Sequence, residues 1–227
     1  MFSRTERLIG QDSLKRLQNS RVALFGLGGV GSFALEALAR AGIGELLLVD
    51  FDLIEVTNLN RQLLALHSTL GEAKVDVACR RVLDINPCAR VVTCRVKLNE
   101  LNCSTLLESD LDYVVDAIDQ VSAKVALICQ AKRLNRPIIS CLGTAEKLDP
   151  TAFRIGDISE TSVCPLARAV RQRLRARGIE SGVKVVYSLE PPRTRPDRPL
   201  GSISFVPSVA GLLAASVVVN DLIGDSG

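Results

Sequence analysis

Four closely spaced glycines, three carboxylates and two cations stand out along the chain, because together they can hold a phosphorylated ligand and stabilise charge on it. Gly26-Leu27-Gly28-Gly29-Val30-Gly31 has the spacing G-x-G-x-x-G, in which small residues permit a tight turn and let backbone N–H groups approach a phosphate. Asp50 follows about 20 residues later, a spacing at which a carboxylate can accept hydrogen bonds from ribose hydroxyls. Asp50-Phe51-Asp52 leads into Val56-Thr57-Asn58-Leu59-Asn60-Arg61-Gln62 and then Gly71-Glu72-Ala73-Lys74, so Arg61 and Lys74 bring two positive charges to the neighbourhood of the turn. Neutralising a triphosphate, and the charge that develops at its α-phosphorus, needs such groups, whereas hydride transfer at a nicotinamide does not. The cations therefore favour ATP, although a glycine turn alone would serve NAD or FAD equally. Asp119 closes Asp116-Ala117-Ile118-Asp119 and can hold Mg²⁺, an ion that takes one or two carboxylates beside phosphate oxygens and water. Its plainer reading is a cap on the following helix.

These groups meet only if strands and helices alternate. Residues 21–25 form a short apolar run that ends at Gly26, residues 29–40 carry small and apolar residues at helical spacing, and residues 45–50 form a second buried strand ending in an acid; together they predict one βαβ unit. The alternation continues with a helix over 71–85 stopped by Asn86-Pro87, strands over 90–96 and 113–117, a helix over 123–134 and a strand over 137–141. Asp116 and Asp119 should then emerge together at the carboxyl edge of a parallel sheet. Beyond Asp149 the pattern changes: residues 153–155 and 183–187 read as strands flanking one helix, which predicts an antiparallel extension. Residues 190–199 are too rich in proline and charge for regular structure and read as a mobile loop. The glycine- and alanine-rich segment after Pro207 reads as a buried helix returning to the sheet.

Composition sets the outer bounds. A chain of 227 residues with 47% hydrophobic content can bury a full core, and Val, Ile, Leu and Ala dominate it, as suits parallel strands covered on both faces. The expected class is α/β: a Rossmann-like, mostly parallel sheet with helices on both faces and a C-terminal antiparallel extension. One domain over 1–227 is expected, with a nucleotide-binding core of about 20–142 and a substrate-side extension of about 149–227. A net charge of +3 demands no nucleic acid by itself. The seven cysteines include no C-x-x-C pair, which argues against a zinc ribbon or a disulfide framework. No signal core opens the chain, and the apolar stretch 209–219 falls short of the roughly 20 residues a bilayer requires. A cytoplasmic protein with reduced thiols and no membrane partner is expected.

The glycine turn, Asp-Phe-Asp, Asn-Leu-Asn-Arg-Gln, Gly-Glu-Ala-Lys and Asp-Ala-Ile-Asp, in this order and spacing, strongly resemble the ThiF-type, ubiquitin-activating-like adenylating enzymes. The resemblance covers roughly residues 4–141 and implies ATP contact at the glycines, Gly29 above all, ribose binding by Asp50, phosphate contacts by Arg61 and Lys74, and Mg²⁺ at Asp119. It assigns Asp52, Asn58 and Gln62 to the same nucleotide site. Arg7, in the opening Arg-Thr-Glu-Arg, matches an arginine that in this family reaches ATP in the partner subunit of a homodimer; its bland alternative is an exposed surface arginine. Members that activate sulfur carriers usually bring paired C-x-x-C zinc ligands, which are missing here. Leu148-Asp149-Pro150-Thr151 and the stretch Asp157-Ile158-Ser159-Glu160-Thr161-Ser162-Val163-Cys164-Pro165-Leu166-Ala167-Arg168 look instead like the branch in which ATP drives cyclisation of N6-threonylcarbamoyladenosine at tRNA position 37. The resemblance also admits a sulfur-relay protein as a further partner.

Residues independent of the motifs support a tRNA partner. A helix over 163–177 would place Val163, Leu166, Ala167, Val170 and Leu174 on one face and Arg168, Arg171, Arg173, Arg175 and Arg177 on the rest, with Lys184, Arg193, Arg195 and Arg198 nearby. An ordinary solvated face is the competing reading. Cys164 invites a covalent role, but no histidine lies near it in sequence and a buried structural thiol is the expectation. His67, the only histidine, reads as a loop hydrogen-bonder. Three rival functions remain: adenylation of a ubiquitin-like sulfur carrier, nicotinamide-dependent oxidoreduction, and non-catalytic nucleotide binding.

Overall fold

The computed structural model describes residues 1–107, 110–193 and 199–224. Strand β1 (Arg21–Phe25) pairs in parallel with β2 (Glu45–Val49), which pairs with β3 (Arg90–Cys94). On its other side β1 pairs with β4 (Tyr113–Asp116), which pairs with β5 (Ile138–Cys141). Strand β6 (Phe153–Asp157) is the outer edge and runs antiparallel to β7 (Lys184–Ser188), which itself lies parallel to β5. The sheet therefore reads β3-β2-β1-β4-β5-β7-β6. The expected antiparallel extension is confined to β6, because β7 continues the parallel sheet.

Burial on both faces explains why the strands read as continuous apolar runs. Successive side chains of β1 point to opposite faces: Val22 and Leu24 enter one core, Ala23 and Phe25 the other, all with no exposure. The first core is covered by α2 (Gln11–Asn19), α3 (Gly31–Ala41), α4 (Lys74–Ile85) and α8 (Phe205–Ile223). The second lies under α5 (Glu100–Leu107), α6 (Val121–Arg133) and α7 (Pro165–Arg175). A further short helix, α1 (Ser3–Ile9), buries no residue.

Helix α8 corrects the reading of 209–219. It begins at Phe205, with Pro207 in its first turn where a missing N–H costs nothing, and spans 19 residues of mean hydropathy 1.8, enough by length and composition to cross a bilayer. Here its Ala210, Gly211, Ala214 and Ala215 are buried in the first core, against α3 and the sheet. A Cβ at Gly211 would stand 2.2 Å from the carbonyl oxygen of Val30, so only glycine lets the two backbones approach this closely. That contact braces the turn that opens α3.

Candidate active site

Between β1 and β4 the order of strands reverses, and at that point an open sheet presents a crevice at its carboxyl edge. The glycine turn sits there, and its glycines have distinct jobs. Gly26 has φ +89, and a Cβ on it would lie 2.8 Å from the Ala117 carbonyl oxygen. A Cβ on Gly31 would lie 1.8 Å from the Gly26 carbonyl oxygen, so this residue lets α3 pack onto the end of β1. The Gly28 carbonyl accepts from the Ser32 N–H at 3.0 Å, while the N–H groups of Gly28, Gly29, Val30 and Gly31 meet no acceptor among the described residues. Unpaired N–H groups at the positive end of a helix form a cradle for an anion.

Asp50 and the cation beside it form the second wall. One oxygen of Asp50 accepts from the Leu27 N–H at 2.6 Å and the other from the Asp52 N–H at 2.9 Å, which ties β2 to the glycine turn. Burial raises the Asp50 pKa above the ordinary aspartate value; the Lys74 charge and these two N–H donors oppose the rise, and the Asp52 charge adds to it. Lys74 is 4% exposed and its Nζ lies 2.8 Å from Oδ2 of Asp52. Its backbone is fixed as well, because the Lys74 N–H donates to the Asp52 carbonyl at 3.1 Å and Leu53 bridges Ala73. Asp50, Asp52 and Lys74 are thus brought together.

The third wall comes from residues 55–63. Asn58 is buried, and its side-chain oxygen accepts from the Glu55 N–H while its carbonyl accepts from the N–H groups of Arg61 and Gln62. Its part is to shape the loop. Oγ of Ser32 on α3 accepts from the Leu63 N–H at 3.1 Å and pins the loop to the turn. The result lays Arg61 on Gly29, with the Arg61 Cγ 3.3 Å from where a Gly29 Cβ would be, and brings Gln62 Nε2 to 3.8 Å from the corresponding point on Gly28. The Arg61 guanidinium donates to the Thr57 carbonyl and to the Asn60 side chain. Gln62 is 7% exposed, and its Oε1 has no hydrogen-bond partner among the described residues.

The acids after β4 part company. Asp119 is exposed on the loop whose Ala117 abuts Gly26, at the same sheet edge. Asp116, expected beside it, instead points into the protein with no exposure. Its Oδ2 accepts from Lys124 Nζ at 2.8 Å and from Ser140 Oγ at 2.6 Å, and its Oδ1 accepts from the Ile118 N–H at 3.1 Å. Lys124 is equally buried and also donates to Ser140 Oγ and the Cys141 carbonyl. A fully buried ion pair with these hydrogen bonds fixes the Asp119 loop against the glycine turn. Sequence reasoning missed Lys124; the available signal was a lysine set among Val121, Ala123, Val125 and Leu127.

Arg7 lies on exposed α1, whose neighbour Phe2 packs beside Gly42 at the far end of α3 from the turn. The structure does not bring Arg7 to the crevice of its own chain. Helix α7 buries Ala167, Val170 and Leu174, but Val163 precedes it and is exposed. Its arginines diverge: Arg171 turns in to Thr161, Arg177 pairs with Glu100, and Arg168, Arg173 and Arg175 are exposed. Lys184 is bound by Asp221 and Arg193 by Glu190, while Arg195 and Arg198, with the centre of the expected loop 190–199, lie outside the described residues. Cys164 is buried at the N-cap of α7, where its Sγ would stand 2.9 Å from a Cβ on Gly143. His67 is exposed and makes no side-chain hydrogen bond with the described residues.

The arrangement can cradle an anion on backbone N–H groups, bind hydroxyls at Asp50 and set cations on either side. Known proteins share the fold that builds it. The profile of the ThiF family matches residues 2–226. The tRNA threonylcarbamoyladenosine dehydratase of Bacillus subtilis is 44% identical, over 99% of this chain and 95% of that protein. Crystal structures of the Escherichia coli tRNA N6-threonylcarbamoyladenosine dehydratase, TcdA, in complex with AMP and with ATP superpose with a TM-score of 0.93 at 34% identity, covering 99% of this chain and 94% of theirs. The molybdopterin-synthase adenylyltransferase of Haemophilus influenzae is 35% identical over 57% of this chain and 53% of that protein. With the match running from the second residue almost to the last, and with the crevice built on the same fold, this chain belongs to the ThiF family.

Proposed function

We propose that this chain binds ATP in the glycine turn and uses it to remove water from N6-threonylcarbamoyladenosine in tRNA. The observation that carries this reading is the extent of the kinship with the dehydratases, which includes the segment from β5 to α8 as well as the crevice. The molybdopterin-synthase adenylyltransferase matches only 57% of the chain. In the proposed reaction a threonyl carboxylate oxygen attacks the α-phosphorus, the bond to the β-phosphate breaks, and acyl-adenylate and pyrophosphate form. The carbamoyl group of the same nucleoside then closes on the activated carbonyl, losing its N–H proton to solvent, and AMP leaves carrying the carboxylate oxygen. Because ring closure is intramolecular, the enzyme need supply only position and charge. The cradle and Arg61 would take the phosphates, Asp50 the ribose hydroxyls, and Lys74 the charge developing at phosphorus.

Asp119 suits Mg²⁺ in this scheme: it is an exposed carboxylate at the crevice edge, and one such ligand suffices when phosphate oxygens and water complete the shell. The ion would neutralise phosphate charge. We further propose a homodimer in which the exposed face of α1 meets the crevice of a second copy. That helix buries nothing, Leu8 is 85% exposed, and Arg7 could meet a phosphate only in a second copy. Ring closure transfers no sulfur, so a sulfur-relay protein would join the assembly as a partner and not as a reactant. The seven free thiols suit the reducing cytoplasm that we take to be its compartment.

The test is mass spectrometry of nucleosides from modified tRNA incubated with the protein and ATP. The expected product lacks one water. An unchanged nucleoside, with AMP formed only when a ubiquitin-like carrier is added, would transfer the activity to the sulfur-carrier class.

A further inference from the structure

The second face of the protein holds a cavity of about 600 Å³ that the crevice does not explain. Its walls come from the segment after β3, the start of α6 and the end of α7, and they carry Lys97, Gln120, Ser122, Arg173 and Arg177 above an apolar floor that includes Leu98 and Ala123. Three cations line it against one carboxylate, Glu100, which is already bound to Arg177. Both ends lie beside residues next to the nucleotide site in sequence: Gln120 follows Asp119 directly, and Lys97 sits 5.3 Å above the ring of Phe51, the residue after Asp50. A ligand lying here would reach the crevice from the side of the sheet covered by α5, α6 and α7.

We infer that this cavity seats one nucleotide of the tRNA next to the modified adenosine, its phosphate on Arg173 and Lys97 and its base against the apolar floor. The inference rests on the function proposed above and assigns the surface that presents the substrate. Three features select an RNA nucleotide. The volume accommodates a base with its sugar and phosphate, the net charge of the walls is positive, and the amide of Gln120 and the hydroxyl of Ser122 can read a base edge. Helix α7 supplies its own control. Arg173 faces the cavity, whereas Arg168 and Arg175 lie on another flank of the same helix and are also exposed. A general basic field would use all three alike, but a built site would not.

The experiment measures binding of unmodified tRNA, and separately of ATP, to three proteins: wild type, the double variant Arg173→Ala/Lys97→Ala, and the double variant Arg168→Ala/Arg175→Ala. All are titrated across a range of salt. The cavity variant should bind tRNA on the order of 10-fold more weakly, and its slope of log affinity against log salt should fall by about 0.7–0.9 for each phosphate that is no longer neutralised. ATP affinity should stay within about twofold of wild type, and the flank variant should bind tRNA nearly as wild type does. Equal weakening in both double variants would overturn the inference in favour of a diffuse field. Loss of ATP affinity with tRNA binding unchanged would overturn it too, making the cavity part of the adenine pocket. Wild-type protein that cyclises the nucleoside while the cavity variant is unaffected would remove the cavity's role alone. Wild-type protein that neither binds nor alters tRNA would remove the proposed function with it.

Discussion

Replacing Lys124 by Met keeps the stem of the side chain and removes its ammonium from the core. In the native protein that group makes three hydrogen bonds, to Asp116 at 2.8 Å, Ser140 at 3.2 Å and the Cys141 carbonyl at 2.9 Å, and both members of the ion pair have no exposure. The variant leaves the Asp116 carboxylate with only the Ile118 N–H and the Ser140 hydroxyl. Stranding one partner of a buried pair costs about 3–5 kcal/mol, a large share of the roughly 5–15 kcal/mol that separates folded from unfolded chains. In urea the midpoint should fall by about 1–2.5 M at an unchanged slope of roughly 2–3 kcal/mol per M. Because Asp116 also holds Ile118, next to the Ala117 carbonyl that abuts Gly26, the folded variant should bind ATP more weakly. Asp116→Leu/Lys124→Met removes both charges and should cost less than the two single changes added together. A Lys124→Met midpoint close to wild type, or strict additivity in the double variant, would refute the assignment of this pair as the clamp on the Asp119 loop.

Three further outcomes follow from the site. Lys74→Ala should lower AMP formation by about 10²–10³-fold, with a smaller stability loss than Lys124→Met because Asp52, its partner, is 45% exposed to water; single-turnover assays beside urea melts would separate the two effects. Asp50→Asn should abolish tight ATP binding and change the pH dependence of unfolding. Burial raises the folded-state pKa of Asp50 above 3.8, so its ionisation takes stability away as pH rises from near that value through the folded pKa. Melts without nucleotide should therefore show the Asn variant gaining on wild type across that window and holding a constant difference above it; a change in the opposite direction with rising pH would contradict the sign. Cys164→Ser should retain turnover within about twofold and lose no stability, since serine is a preferred N-cap and Cys164 occupies that position on α7. Complete loss of product with a normally folded Ser variant would restore a covalent role for the thiol.

Much of the fold was legible because buried parallel strands are written as uninterrupted apolar runs. The runs read at 21–25 and 45–50 coincide with β1 and β2 to within one residue, the second strand ending at Val49, just before Asp50. The helices that went unseen in the sequence are short and bury few residues, although the two buried leucines of α2 do fall at helical spacing. Helix α1 buries nothing, α2 only Leu14 and Leu17, and the short α5 only Cys103 and Leu107. The glycine turn, Asp50, Arg61 and Lys74 were visible in sequence because their spacing reflects a backbone shape. The fate of Asp116 was not, since its side chain is turned inward by a lysine eight positions on whose charge suggests a surface residue. The arginines of α7 were grouped as one basic face in sequence; helical spacing sets Arg173 and Arg177 on a different flank from Arg168 and Arg175, and packing turns Arg171 inward.

Oxygen transfer tests the central claim most directly. tRNA bearing N6-threonylcarbamoyladenosine with ¹⁸O in the threonyl carboxylate is incubated with the protein and ATP, and the released AMP is analysed by mass spectrometry. If the carboxylate attacks the α-phosphorus and AMP leaves on ring closure, AMP carries one labelled oxygen for each nucleoside cyclised. Cyclic product accompanied by unlabelled AMP, or by ADP and labelled inorganic phosphate, would contradict the acyl-adenylate and the crevice chemistry assigned to Arg61 and Lys74.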